Sequence, residues 1–287
     1  MGCRQASRER KTVILQLHDI SKTYRTRTAQ GNVQALTPLN LDIDEGELVS
    51  FVGPSGCGKS TLLNIVAGLL PPTTGEVVFD GAAMTEPSRR VGFMFQQPVL
   101  LPWRSVQKNV LLPSEVFGLD PEEMKRRAED VLRLVGLGDF RGALPQHLSG
   151  GMQQRVALAR VLVYQPKVLL MDEPFGALDE FTRETMNLEL LKLTKPEGIT
   201  VLFVTHNISE AVFLADRVVV MSPRPGRISG IIDVPFSQRK IDVMRDPAFT
   251  DLVFQVRSLL GDEADDDSAS AEADSRELGK EGLAHGY

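Results

Sequence analysis

The stretch Gly53-Pro54-Ser55-Gly56-Cys57-Gly58-Lys59-Ser60-Thr61 constrains this chain more than any other. It fits the pattern G-x-x-x-x-G-K-[ST] from Gly53 to Ser60. The apolar run Leu48, Val49, Phe51, Val52 precedes it, and a helix-like stretch from Thr61 to Leu70 follows. A strand, a tight glycine loop and a helix in that order turn successive backbone N–H groups toward one point, where the helix start adds partial positive charge. Such a loop is a cradle for phosphate. Within it Lys59 would reach the β and γ phosphates of a nucleoside triphosphate, and Ser60 would ligate Mg²⁺. Cys57 fills an unconstrained position of the loop, with no histidine base near it in sequence.

A second run, Val168-Leu169-Leu170-Met171, is apolar without alternation, as a strand buried on both faces of a parallel sheet must be. It delivers two acids at its end. Ligands of open parallel sheets sit at the C-terminal edge of the strands, so Asp172 is placed to hold Mg²⁺ through water and Glu173 to polarise an attacking water. Read as successive strand residues, the two acids point in opposite directions. A third element, Leu148-Ser149-Gly150-Gly151-Met152, opens a helix running to about Tyr164. Two glycines there cost helix stability, yet they leave a second N-terminus rich in free N–H groups.

With these motifs in this order, the chain resembles the ATP-binding subunit of ABC transporters, and the match extends from about Val13 to Arg227. LSGGM, at Leu148 to Met152, resembles the family's signature, with Met152 where Gln is usual. The resemblance implies an ATPase that uses ATP and Mg²⁺ and pairs head to tail with a second copy. Ser149, Gly150, Gly151 and Met152 of one copy then close on the phosphate held by Lys59 of the other. It also implies that Tyr24 stacks on adenine and that Gln96 senses Mg²⁺ and water. By the same likeness Asp179, with Gly176 in place of a more usual Ser, crosses the dimer interface, and His206 bonds the γ-phosphate. The stretches QPVLLPWRSVQKNVLLP, PFGALDEFTRE and THNISEAVFLADRVVVMSPRPGRI resemble the nitrate, sulfonate and taurine import branch. Membership there implies membrane permease partners, a periplasmic or extracellular solute-binding protein, and a place on the cytoplasmic face of the membrane. The alternative is a non-transport ABC ATPase of the DNA-repair or chromosome type. Against it stand the absence of long coiled-coil insertions and of a basic stripe for nucleic acid.

The expected fold is α/β: a P-loop NTPase core, mainly parallel sheet flanked by helices, with an antiparallel β-subdomain and an inserted helical subdomain. Short strands are expected at Val13 to Leu17, Asn40 to Ile43 and Glu76 to Phe79. The helical insertion is expected at about 97–165, inside an ATP-binding domain over 13–260. Within it Asp120 is an N-cap, Pro121 the first helical residue, Glu123 the acid of a capping box and Gly136 the stop. Trp103, the one tryptophan, lies in a run too apolar for a free loop; it packs either in this lobe or against a membrane partner. Residues 1–12 read as an arm and 261–287 as an acidic, disordered tail. Of the net charge of −6, the segment Asp262 to Tyr287 carries −7 from nine acids and two bases, so the body is near +1.

Overall fold

The computed structural model describes residues 12–25, 31–236 and 239–261. The arm read over 1–12, except its last residue, and the tail read over 261–287, except its first, lie outside the described residues.

In chain order the elements are β1 (Val13–Tyr24), β2 (Val33–Asp44), β3 (Leu48–Val52), α1 (Lys59–Val66), β4 (Thr74–Phe79), β5 (Ala82–Ala83), β6 (Val91–Met94), α2 (Val106–Val110), α3 (Leu112–Phe117), α4 (Pro121–Leu134) and α5 (Gly150–Leu162). The series continues with β7 (Val168–Asp172), α6 (Glu180–Thr194), β8 (Thr200–Val204), α7 (Ile208–Leu214), β9 (Arg217–Met221) and β10 (Ile228–Asp233), and ends in α8 over 247–261. A six-stranded sheet has the order β10-β9-β3-β8-β7-β6, parallel except for the edge pair β10–β9; a four-stranded antiparallel sheet has the order β2-β1-β4-β5.

Side-chain alternation splits the large sheet between two cores. Leu48, Leu169, Met171, Val201 and Phe203 face α6, α7 and α8, meeting Leu190, Phe213 and Val256. Val49, Phe51, Leu170, Leu202 and Val204 face α1 and the antiparallel sheet, meeting Leu62, Leu63, Leu15 and Leu41. Covered on both sides, β3 and β8 are buried at every residue, which is why their sequences read as continuous apolar runs.

The inserted lobe has its own core, in which Val106 and Val110 of α2 and Ala128 and Leu132 of α4 meet Val156 and Ala159 of α5. Helix α5 also gives Leu158 and Val161 to the core of the large sheet. It is therefore buried on opposite faces and joins the lobe to the sheet. Gly92 on β6 permits the contact, because a Cβ there would lie 2.4 Å from Val161 Cγ1. Helix α4 starts as its sequence predicts, with Asp120 accepting from the Glu123 amide at 2.7 Å and Pro121 in the first turn. Glu123 pairs with Arg127 at 2.6 Å, and Gly136, at φ 69°, follows the helix end.

The antiparallel strands are longer than the sequence suggested: β1 and β2 have 12 residues each. Their register shifts repeatedly, and Asp19 sits at φ 48° in a bulge held by reciprocal 2.9 Å bonds with Asn40. A bulge breaks the period of two, so the alternation that marks a strand is lost from the sequence while the strand continues. The extension carries Tyr24 to α1, its Oη 3.3 Å from Thr61 Oγ1.

Gly75, at φ 82°, packs against the bulge, where a Cβ would lie 2.1 Å from His18 O and 2.4 Å from Asp19 O. Gly75→Ala is expected to cost at least about 2 kcal/mol. Urea unfolding checks this through a lower midpoint at unchanged slope.

Candidate functional site

Where β3 ends, the chain has no room for a side chain: a Cβ at Gly53 would lie 2.8 Å from Met221 O. The loop then turns through Gly56 and Gly58, at φ 80° and 103°, into α1. Gly58 caps α1 without a side-chain bond, which leaves the first amides of the helix for another partner. A Cβ at Gly56 would meet nothing within 4 Å, so the chain's own packing does not fill that side of the loop. Lys59 is only 6% exposed, and its ammonium donates to Gly53 O at 2.7 Å and Pro54 O at 2.9 Å. Cys57 is buried beneath the loop.

Across the sheet, Ser60 Oγ donates to Asp172 Oδ1 at 3.0 Å, tying the first turn of α1 to the end of β7. Burial pushes the Asp172 carboxyl above its usual range. The Ser60 bond opposes the shift, Glu173 adds to it, and Lys59 counters it. Glu173 departs from the expectation of an alternating strand pair. It lies beyond β7 at φ 45°, its amide donating to Val204 O at 3.0 Å. That left-handed turn carries its carboxylate to the end of β8, where Oε2 is 3.4 Å from His206 Nδ1.

His206 stands on a turn tied on both flanks. The Thr205 amide donates to Phe51 O at 3.2 Å, and the Thr205 hydroxyl donates to Glu210 Oε2 at 2.5 Å while accepting from the Asn207 amide at 3.0 Å. Asn207 caps α7 by accepting from the Glu210 amide at 3.1 Å. Burial raises the Glu210 carboxyl above its ordinary range, against the lowering effects of Thr205, Asn187, Arg183 and His206. Gln96 lies two residues past the Met94↔Met171 pair, on the same sheet edge, and its carbonyl accepts from Gln154 of α5 at 2.8 Å.

A cleft of about 360 Å³ opens beside Lys59, Ser60 and Glu173. Tyr24, Val33 and Ala35 line it together with Ser55 to Thr61 (Cys57 excepted) and Glu173, and Arg224 completes it. The sequence reading missed Arg224, although Arg224 follows β9, next to β3, at the edge where ligands of such sheets sit. The structure thus gathers Tyr24, the loop from Gly53 to Thr61, Asp172, Glu173 and His206. It leaves Ser149 to Met152 and Asp179 outside that cleft, at the starts of α5 and α6. Ser149 caps α5, accepting from the Met152 amide at 3.3 Å, and Gly150 faces open space. Asp179 caps α6, and its bonds to Thr182 hold its carboxyl below the usual range. A Cβ on Gly151 would lie 3.2 Å from Thr182 Cγ2, so these two helix starts adjoin.

Residues 36–176 match the family described as ABC transporter. The chain is 45% identical over 262 residues to an uncharacterised ABC transporter ATP-binding protein of Methanocaldococcus jannaschii, covering 89% of this chain and 94% of that one. It is 48% identical over 211 residues to the taurine import ATP-binding protein of Roseobacter denitrificans, covering 74% and 79%. Among solved structures, a dimeric ATP-binding cassette in a post-hydrolysis state with ADP and Pi aligns at TM-score 0.69 and 37% identity. That alignment covers 78% of this chain and 100% of the other.

The raised Glu210 carboxyl predicts a pH signature. Below the ordinary carboxylate range the group is neutral in both folded and unfolded chains and contributes nothing. As pH rises, the unfolded chain ionises first, and folding loses stability until the folded group ionises too. Glu210→Gln keeps an acceptor for Thr205 without the charge. Its melting temperature relative to wild type is therefore expected to climb as pH rises above the ordinary carboxylate range of about 4, measured by paired thermal melts.

Proposed function

Because this chain belongs to the ABC transporter ATP-binding family, a family of ATP-hydrolysing subunits, we propose that it powers import of a sulfonate-type solute as one of two identical motors beneath a membrane permease. The observation that carries the catalytic part is the convergence of Lys59, Ser60, Asp172, Glu173 and His206 on one sheet edge, beside a cleft that Tyr24 also lines.

In this reading adenine stacks on Tyr24 and the phosphate chain follows the loop from Gly53, Pro54 and Ser55 through Gly56, Cys57 and Gly58 to Lys59, Ser60 and Thr61. The glycine conformations and the uncapped start of α1 suit an anion. A hydroxyl and a carboxylate 3.0 Å apart are hard oxygen donors, a set that fits Mg²⁺, so Ser60, Asp172 and Gln96 would hold it, partly through water. When bound, the ion neutralises charge on the β and γ phosphates. Glu173 accepts the proton of the water that attacks the γ phosphorus, the bond to the β–γ bridging oxygen breaks, and ADP and phosphate leave. His206 Nδ1 lies 3.4 Å from Glu173 Oε2, and in this reading Nε2 meets the γ-phosphate. Most of the acceleration comes from positioning and charge stabilisation.

A second copy completes the site. Ser149, Gly150, Gly151 and Met152 form an anion-ready helix start outside the chain's own cleft, which supports a head-to-tail pair with Asp179 at the shared face. Trp103 is 73% exposed and Val99, four residues earlier in the chain, is also exposed, so burial in the helical lobe is not its role. That patch supports docking of an apolar permease segment. No helix among the described residues is long and apolar enough to cross a membrane, which accords with peripheral attachment through the permease. The likeness to a taurine import protein supports a sulfonate cargo, captured outside the cell by a separate binding protein.

Glu173→Gln is expected to lower hydrolysis by about 10²- to 10³-fold and to trap a dimer in Mg-ATP. Turnover assays and light scattering after size exclusion test both, and wild-type turnover would remove Glu173 from its role. Trp103→Ala is expected to keep basal hydrolysis but lose stimulation by the reconstituted permease; unchanged stimulation would remove the patch from docking.

A further inference from the structure

Beyond Met221 the chain runs through residues 222–227 behind the phosphate loop. Ser222 Oγ lies 2.9 Å from Pro223 O and 3.3 Å from Pro225 O and accepts from the Arg227 amide at 3.1 Å, so the segment closes on itself. Gly226 fastens it to the site. Its amide donates to Ala35 O at 2.9 Å and its carbonyl accepts from the Thr37 amide at 3.0 Å. A Cβ at Gly226 would lie 1.9 Å from Cys57 O, inside the phosphate loop itself. The residue at 226 is thus held between β2 and the loop, with no space for anything but glycine.

Arg224 stands two residues from each of these anchors. It is exposed, it has no ion-pair partner among the described residues, and it lines the same cleft as Ser55, Lys59 and Glu173. We propose that Arg224 is a nucleotide-binding residue whose guanidinium contacts the phosphate chain of ATP, as a second cation beside Lys59. This rests on the reading of the cleft as the ATP site. Adenine offers no charge to a cation, whereas a phosphate oxygen pair matches the planar fork of a guanidinium in a way that an ammonium cannot reproduce. The two cations divide the work: Lys59 is bound into the loop by two carbonyls, while Arg224 is presented from outside it on a braced segment.

The test is competition of ATP, ADP and adenosine against a fluorescent ADP on the full chain, for wild type, Arg224→Ala and Arg224→Lys. ADP measures one copy alone, without pairing. Arg224→Ala is expected to weaken ATP and ADP about tenfold and to leave adenosine unchanged, the size of one charge-assisted contact. Arg224→Lys is expected to fall between, and the loss to shrink as salt rises. Equal ADP and ATP affinities in wild type and Arg224→Ala would overturn the proposal, as would an equal loss for adenosine. A wild-type chain that binds no ADP would instead overturn the reading of the cleft.

Discussion

Parallel strands buried on both faces impose the constraint on which this molecule depends. Such strands run one way, so their C-terminal ends fall on a single edge, and polar side chains along them are few, such as the buried Ser50 of β3 and Thr200 of β8. Side chains able to serve a ligand therefore gather at the C-terminal ends of β3, β6, β7, β8 and β9. Those ends carry the loop from Gly53, Gln96, Asp172 as the last residue of β7 with Glu173 after it, His206 and Arg224. The bond between Ser60 and Asp172 closes this set across the intervening strand β8.

The inserted lobe is joined to that edge by helix α5 rather than merely attached. Its opposite faces are buried in two different cores, and Gln154 reaches the Gln96 carbonyl from the same helix. A shift of the lobe thus moves the start of α5 and the segment after β6 together. Under the proposed docking of a permease near Trp103, this gives a mechanical route from that surface to the sheet edge that carries Lys59 and Asp172.

What the sequence made legible follows from the same physics. The runs before Gly53, Asp172 and His206 announced buried parallel strands because burial on both faces erases polar alternation. The glycines of the loop and of α5 were legible because they are costly anywhere else. The antiparallel strands were read short because the bulge at Asp19 interrupts their period. The direction of Glu173 was hidden, since a positive φ at a non-glycine residue leaves no mark in sequence. Arg224 between two prolines looks like an ordinary surface turn until Gly226 is seen pressed against the loop.

The separation of the α5 start from the cleft has a genetic side. Under the head-to-tail reading each copy lends one half-site and borrows the other, so a copy with a ruined phosphate loop still serves the sound loop of a normal mate. Mixed populations would then hold many assemblies with one working site. A lesion that jams such pairs shut behaves as a dominant allele, while one that only abolishes nucleotide capture is diluted away.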